Sequence, residues 1–148
     1  TDALPLYYWN DNNFRTIRYA DVLLLYAEVL NELSATPPAK AVECLNRVRN
    51  RVNLPDIANS TYYNGAQIVN NKEAFREHLK IERGLELAME CVRWIDLKRW
   101  GINDQSTLSL IKERDTDFNN FIIGKSIRMP IPQSEVDNNP NLKQNDQY

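Results

Sequence analysis

At 148 residues, with 43% hydrophobic and 26% charged side chains, the chain has the size and composition of one globular domain. Its formal charge of -2 argues against a nucleic-acid surface as the main function. No apolar run approaches the roughly 20 residues that a membrane helix needs. Four scattered glycines, Gly65, Gly84, Gly101 and Gly124, exclude a P-loop or a GxGxxG dinucleotide turn, which need clustered glycines for close approach to phosphate. Cys44 and Cys91 both fall in helical patterns without CxxC spacing, which favours two buried free thiols over a helix-to-helix disulfide. The chain begins at Thr1 with neither methionine nor signal peptide, and is expected to be processed or a piece of something longer.

The first stretch, residues 1–14, reads as irregular and carries three consecutive aromatics, Tyr7, Tyr8 and Trp9. A helix is predicted over 16–33, where Ala20, Leu23, Leu24, Ala27, Leu30 and Leu33 form one apolar stripe. Asp21 suits the positive end of its dipole. After a connector at 34–37, Pro38 opens a second helix over 38–51, with Ala41, Cys44, Leu45, Val48 and Val52 inward. So short a connection makes the two helices antiparallel neighbours. Residues 53–71 dissolve into Asn, Ser, Tyr and Gly, an exposed loop with a turn at Asn64-Gly65.

Residues 72–100 organise the rest. A third helix is predicted over 72–90 and a fourth over 92–100, closed by Gly101 at its C-terminal cap. Phe75, Leu79, Glu82, Glu86 and Met89 share one face, and Ile81, Leu85, Ala88 and Val92 a second, so little of the helix is left for water. Glu82 and Glu86 are therefore expected to be partly buried, with arginines as partners, since an unpaired buried charge is costly. Arg83, Arg93, Lys98 and Arg99 lie in the same stretch, and Glu82, Arg83, Glu86, Glu90, Arg93, Asp96 and Arg99 read as an ion-pair lattice stapling the two helices. Gly84 in mid-helix costs about 1 kcal/mol against Ala and predicts close packing there. Beyond Gly101, Ser106 or Thr107 caps a short turn through Ile111. Alternation at Phe121, Ile123, Ile127 and Met129 then suggests a short strand or small hairpin. Pro130, Pro132 and Pro140 make 129–148 an extended, turn-rich wrap. The predicted fold is all-α: two antiparallel tetratricopeptide-like helix pairs, at about 16–51 and 72–100, then a hairpin and a loop-rich tail over 102–148.

Catalytic readings fare poorly. Glu82 and Glu86 stand i and i+4 on one helix, whereas a glycosidase places its carboxylates across a substrate cleft. His78, Glu82 and Glu86 could face one metal ion, but the chain has a single histidine and no second ligand cluster. Neither cysteine has an activating neighbour in sequence. Arg47, Arg49 and Arg51 read as solvated or paired with Glu28 and Glu32, not as a phosphate patch. Trp94 and Trp100 read as core.

Four blocks carry a resemblance. IRYADVLLLYAEVLNEL (residues 17–33) and LNRVRNRVNLP (45–55) resemble the C-terminal half of SusD/RagB-family proteins. ERGLELAMECVRWIDLKRWG (82–101) resembles that family's most recognisable signature, and MPIPQSEVDNNPNLKQNDQY (129–148) its usual ending. Gly84 departs from it where a larger residue is expected, as does Asp146-Gln147 in place of Pro-Gly before Tyr148. The resemblance implies that residues 1–148 are the C-terminal domain of a longer outer-membrane lipoprotein, anchored at the cell surface through a missing N-terminal region. It implies a non-enzymatic, cofactor-free component that captures oligosaccharide and passes it to a SusC-like TonB-dependent transporter. A peptide-binding member of the same family and a helical-repeat protein–protein adaptor are the alternatives. Family binding aromatics mostly lie upstream of these blocks. Within the chain, Trp9, Tyr62 and Tyr63 are the aromatics on irregular segments that a ligand could reach, with packing as their plainer reading.

Overall fold

The computed structural model describes residues 16–148, so Trp9, Tyr7 and Tyr8 lie outside the described residues. The described residues are all-α, with seven helices: α1 (Tyr19–Glu32), α2 (Ala39–Arg51), α3 (Gly65–Ile68), α4 (Lys72–Glu86), α5 (Arg93–Arg99), α6 (Gln105–Arg114) and α7 (Gln133–Asn138). They fall into two compact units, the first ending at Ala88 and the second running Met89–Tyr148. None is long and apolar enough to cross a membrane.

In the first unit α1 packs against both α2 and α4. Leu23, Leu24 and Ala27 of α1 meet Ala41, Cys44, Leu45 and Val48 of α2, with Ile57, Ile68, Phe75 and Leu79 closing the core. Each fully buried Leu or Phe is worth about 1.5–3 kcal/mol over its exposed state. Asn31 is buried in the same face and donates through Nδ2 to the Lys72 carbonyl at 3.1 Å, tying α1 to the start of α4. Asn71 caps α4, its side chain accepting from Ala74 N–H at 2.9 Å.

Several expected inward residues instead face out. Leu33 is 81% exposed, Val52 47%, and on α4 the second stripe is open at Leu85, 64% exposed. Exposure of Val22, Tyr26, Val29 and Leu33 leaves α1 with a second apolar stripe in this unit, at spacings of four, three and four. Periodicity finds apolar stripes; it does not rank two of them.

α4 ends at Glu86, four residues earlier than expected. The chain then turns through two left-handed residues, Met89 at φ +66° and Cys91 at φ +61°. Both are exposed, which corrects the reading of Met89 as inward and of Cys91 as buried; both thiols are free, and only Cys44 lies in the core. Burial pushes the Cys44 thiol up from its ordinary value. Left-handed backbone costs an L-residue other than Gly or Asn roughly 1–2 kcal/mol. Cys91→Gly should therefore stabilise the chain by about 1 kcal/mol, net of glycine's larger unfolded-state entropy. Urea unfolding checks this: a midpoint that fails to rise counts against strain at this position.

The second unit is built around Leu97, Ile102 and Leu108, flanked by Trp100, Ile111, Phe118, Phe121, Ile123 and Ile127. Gly101, at φ +86°, closes α5 as expected, within a Schellman motif. Ile102 N–H reaches the Leu97 carbonyl at 3.0 Å and Gly101 N–H the Lys98 carbonyl at 3.3 Å. Ile102 and Leu97 are also the hydrophobic contact that accompanies this motif, and both are buried. Trp100 lies under the guanidiniums of Arg93 and Arg99, but Trp94 is 40% exposed, not core. The cap of α6 is Asp104, two residues before Ser106 and three before Thr107, the two expected, its carboxylate accepting from Ser106 N–H at 3.0 Å and Thr107 N–H at 3.2 Å. The helix it starts is about three turns long, longer than the short turn expected there.

No strand forms at 121–129, contrary to the expected hairpin; among the described residues there is none. The inward–outward alternation is real, since Phe121 and Ile123 join the core and Ile122 is exposed. The backbone, however, closes on itself: Ser126 N–H donates to the Ile122 carbonyl at 2.9 Å, and Ser126 Oγ accepts from Ile122 N–H at 2.9 Å. Gly124, at φ +82°, makes that turn. The prolines do not forbid regular structure in the tail either. Pro132 sits at the start of α7, where its missing N–H is not needed and its carbonyl accepts from Glu135 N–H at 2.9 Å. Amide side chains replace a strand ladder: Gln144 both donates to and accepts from Ile131 backbone at 2.8 Å, and Tyr148 Oη donates to the Arg128 carbonyl at 3.0 Å.

Candidate functional site

The loop between α2 and α4 holds Tyr62 and Tyr63, and its shape is set by a tight backbone crossing. Asn64 adopts the left-handed conformation, φ +51°, and starts α3. Gly65 follows with its N–H on the Ser60 carbonyl at 2.8 Å, and its Cα lies so near the Ile57 carbonyl that a Cβ would meet that oxygen at 1.5 Å. The turn expected at Asn64-Gly65 is therefore present, with a buried glycine at its centre. Asn46 on α2 fixes the other end of the loop, its Oδ1 accepting from Ile57 N–H at 2.8 Å.

A cleft of about 290 Å³ opens beside this crossing, lined by Leu54, Pro55, Asn59, Tyr62, Tyr63 and Leu85 with Arg49 and Glu82 at its base. Tyr62 is 85% exposed and stands edge-on to Tyr63, centroids 4.6 Å apart at 89°. Tyr63 in turn packs its ring on buried His78 at 4.8 Å. His78 Nε2 lies 3.0 Å from Glu82 Oε1, and the same carboxylate oxygen takes Arg49 Nη1. Arg49 Nε donates onward to the Pro55 carbonyl at 3.0 Å, returning to the loop. An exposed aromatic ring thus stands on a buried, hydrogen-bonded charge cluster. Burial alone would push the Glu82 carboxyl up, but the His78 hydrogen bond and the Arg49 guanidinium outweigh it and hold the group below its ordinary value.

Glu86 and Arg83 of α4 also find long-range partners. Glu86 accepts from Arg18 Nη1 at 2.6 Å and from Arg51 Nη2 at 2.8 Å, and Arg83 Nη1 donates to Asp21 Oδ1 at 2.7 Å. Glu82, Arg83 and Glu86 are therefore held by residues of α2 and of α1 and its approach, far away in the sequence, where the expected partners lay in their own stretch. Arg47 and Arg51 are exposed, in keeping with the solvated reading, but Arg49 is buried and Arg51 also binds Glu86; Glu32 binds Arg76 at 2.7 Å. In the second unit Asp96 is buried and accepts from Arg99 Nε at 2.9 Å, Arg93 lies over Trp100, and Glu90 is exposed. Arg49 is the site residue that sequence reasoning missed. Its one signal was its place next to Val48 and one turn after Leu45, both on the inward face of α2.

Chemically the cleft offers an aromatic face, amide and hydroxyl side chains, and a charge cluster whose members pair with one another. The SusD family profile matches residues 7–148. The chain belongs to the SusD family. It is 35% identical over 148 residues to SusD-like protein P25 of Formosa agariphila, an alignment covering 98% of this chain and 26% of that protein. It is 40% identical over 90 residues to SusD-like protein P38 of the same organism, covering 61% of this chain and 17% of P38. Among solved structures, a SusD homolog from Bacteroides thetaiotaomicron aligns with TM-score 0.65 and 30% identity, over 95% of this chain and 30% of that one. A SusD superfamily protein from Bacteroides vulgatus gives TM-score 0.65 and 33% identity, over 90% and 27%. The chain thus spans about a quarter of the SusD-like protein it matches along its whole length.

Proposed function

We propose that the chain is the C-terminal portion of a surface-exposed, lipid-anchored nutrient-binding component of a SusC/SusD-type system. In this reading it captures oligosaccharide and hands it to a SusC-like TonB-dependent transporter in the outer membrane. The family match over residues 7–148 carries this reading. The cleft supports it: a pyranose presents an apolar C–H face that suits the exposed Tyr62 ring, with Asn59 and Thr61 beside it for hydroxyl contacts. Trp9 is a further ligand-facing candidate, from the segment outside the described residues. The role is binding and not turnover, because Glu82 and Glu86, the carboxylates a hydrolase would use, are both committed to arginine.

Glycan-array binding followed by calorimetry tests it. Tyr62→Ala should weaken binding of the recognised glycan about tenfold, or 1.4 kcal/mol. Because Tyr62 is exposed, stability should shift by no more than about 0.5 kcal/mol. Unchanged affinity in Tyr62→Ala would remove the cleft from the reading, and absence of any glycan binding, with clear peptide binding, would move the chain to the peptide-binding alternative.

A further inference from the structure

Between α1 and α2 lies a second cleft of about 360 Å³, chemically unlike the first. Its floor is apolar, from Leu23 and Val48, both buried. Its walls carry three guanidiniums, from Arg18, Arg47 and Arg51, and the phenol of Tyr19. Arg18 and Arg51 share one carboxylate, that of Glu86. Glu43, one turn before Arg47, is occupied by Lys40 at 2.8 Å. Arg47 meets a phenol instead of a carboxylate: Nη1 donates to Tyr19 Oη at 2.9 Å, and its guanidinium lies 5.2 Å from the Tyr19 ring centroid. A guanidinium has five donors, so this contact orients Arg47 while leaving most of its fork open. Arg51 likewise spends only Nη2, on Glu86.

We propose that this cleft binds the carboxylate of an acidic sugar residue, a hexuronate, within a captured glycan. Guanidinium forks match a planar carboxylate in geometry as well as charge, and charge-assisted pairs are the stronger hydrogen bonds. The Leu23 and Val48 floor accepts the C–H face of the ring that carries the carboxylate. A neutral sugar gains only that floor and must displace water from the guanidiniums, so the cleft discriminates against it. The space exceeds what a lone acidic side chain fills and lies within the range of small-ligand pockets. This assignment rests on the glycan-binding reading and narrows its ligand class.

The test compares a galacturonate trimer with a neutral galactose trimer by calorimetry at low salt, on the full chain and on Arg47→Ala and Arg47→Lys. The acidic trimer should bind at least about tenfold more tightly. Arg47→Ala should abolish that preference, and Arg47→Lys should restore only part of it, because a point charge lacks the fork. Arg47 is exposed, so these variants should keep the wild-type unfolding midpoint. Equal affinity for the two trimers, or a preference unchanged in Arg47→Ala, overturns the assignment while leaving glycan binding intact. A glutamate-rich peptide that competes as well as the acidic trimer overturns the sugar assignment in favour of a protein ligand. Acidic binding lost in Arg47→Ala but unchanged in Tyr62→Ala supports this cleft and removes the Tyr62 cleft from the glycan-binding reading. Failure of every saccharide overturns both readings together.

Discussion

Gly65→Ala should destabilise the first unit by upwards of about 4 kcal/mol, the range reserved for gross clashes and orphaned charges. The new Cβ would lie 1.5 Å from the Ile57 carbonyl oxygen and 2.7 Å from its carbon, both backbone atoms, so no side-chain rotation relieves it. Ile57 is fully buried in the core, and its N–H is held by Asn46, so its stretch of loop cannot retreat without opening that core. The consequence for function is direct, because the same crossing shapes the Tyr62 cleft. Gly101→Ala is the informative comparison. There the obstacle is only the left-handed backbone, since the nearest atom to a new Cβ is Thr107 Oγ1 at 3.9 Å, and the cost should be about 1–2 kcal/mol. Urea unfolding of both variants separates the mechanisms; similar losses would show that the close approach at Gly65 does not control its cost.

What was legible in the sequence follows from what is local. Apolar spacing of three and four located α1, α2, α4 and α5, and the left-handed terminus at Gly101 was readable because a glycine there admits few other roles. α3 and α7 are each under two turns and have too few residues to show a period, and α6 hangs on a cap two residues from where Ser106 suggested it. Phe121, Ile123 and Ile127 alternated as a strand would, yet a strand also needs a partner, and here the backbone bonds locally to Ser126 instead. The burial of Glu82 was legible from the stripe it shares with Phe75 and Leu79. Its partner was not, because Arg49 lies 33 positions away and nothing in helical spacing connects them. Family resemblance, carried by the blocks around residues 17–33 and 82–101, identified the scaffold where composition could not. It said nothing of the two clefts, whose linings combine helix and loop residues distant in sequence.

Glu82→Ala is the second large effect, expected at about 3–5 kcal/mol. The substitution leaves the Arg49 guanidinium buried, with its side chain 3% exposed and no counter-charge, and strips His78 of its Nε2 partner. Glu86→Ala should cost less, about 1–2 kcal/mol, although Glu86 serves two arginines. Those arginines keep contact with water, at 28% and 58% side-chain exposure, and can be rehydrated where Arg49 cannot. The order of the two losses is the test of burial as the controlling variable; a Glu86→Ala loss equal to or above that of Glu82→Ala would assign control to pair number instead. Acid provides an independent check. Glu82 has a folded pKa below its ordinary value, so its contribution is whole above the unfolded carboxyl's pKa of about 4.3 and drains away as pH falls through the lowered folded value. Wild type should therefore lose stability steeply in that window. Glu82→Gln, which starts less stable at neutral pH, should lose less there, and the two unfolding midpoints should converge as the pH is lowered. Parallel pH profiles would place the acid sensitivity in other carboxylates.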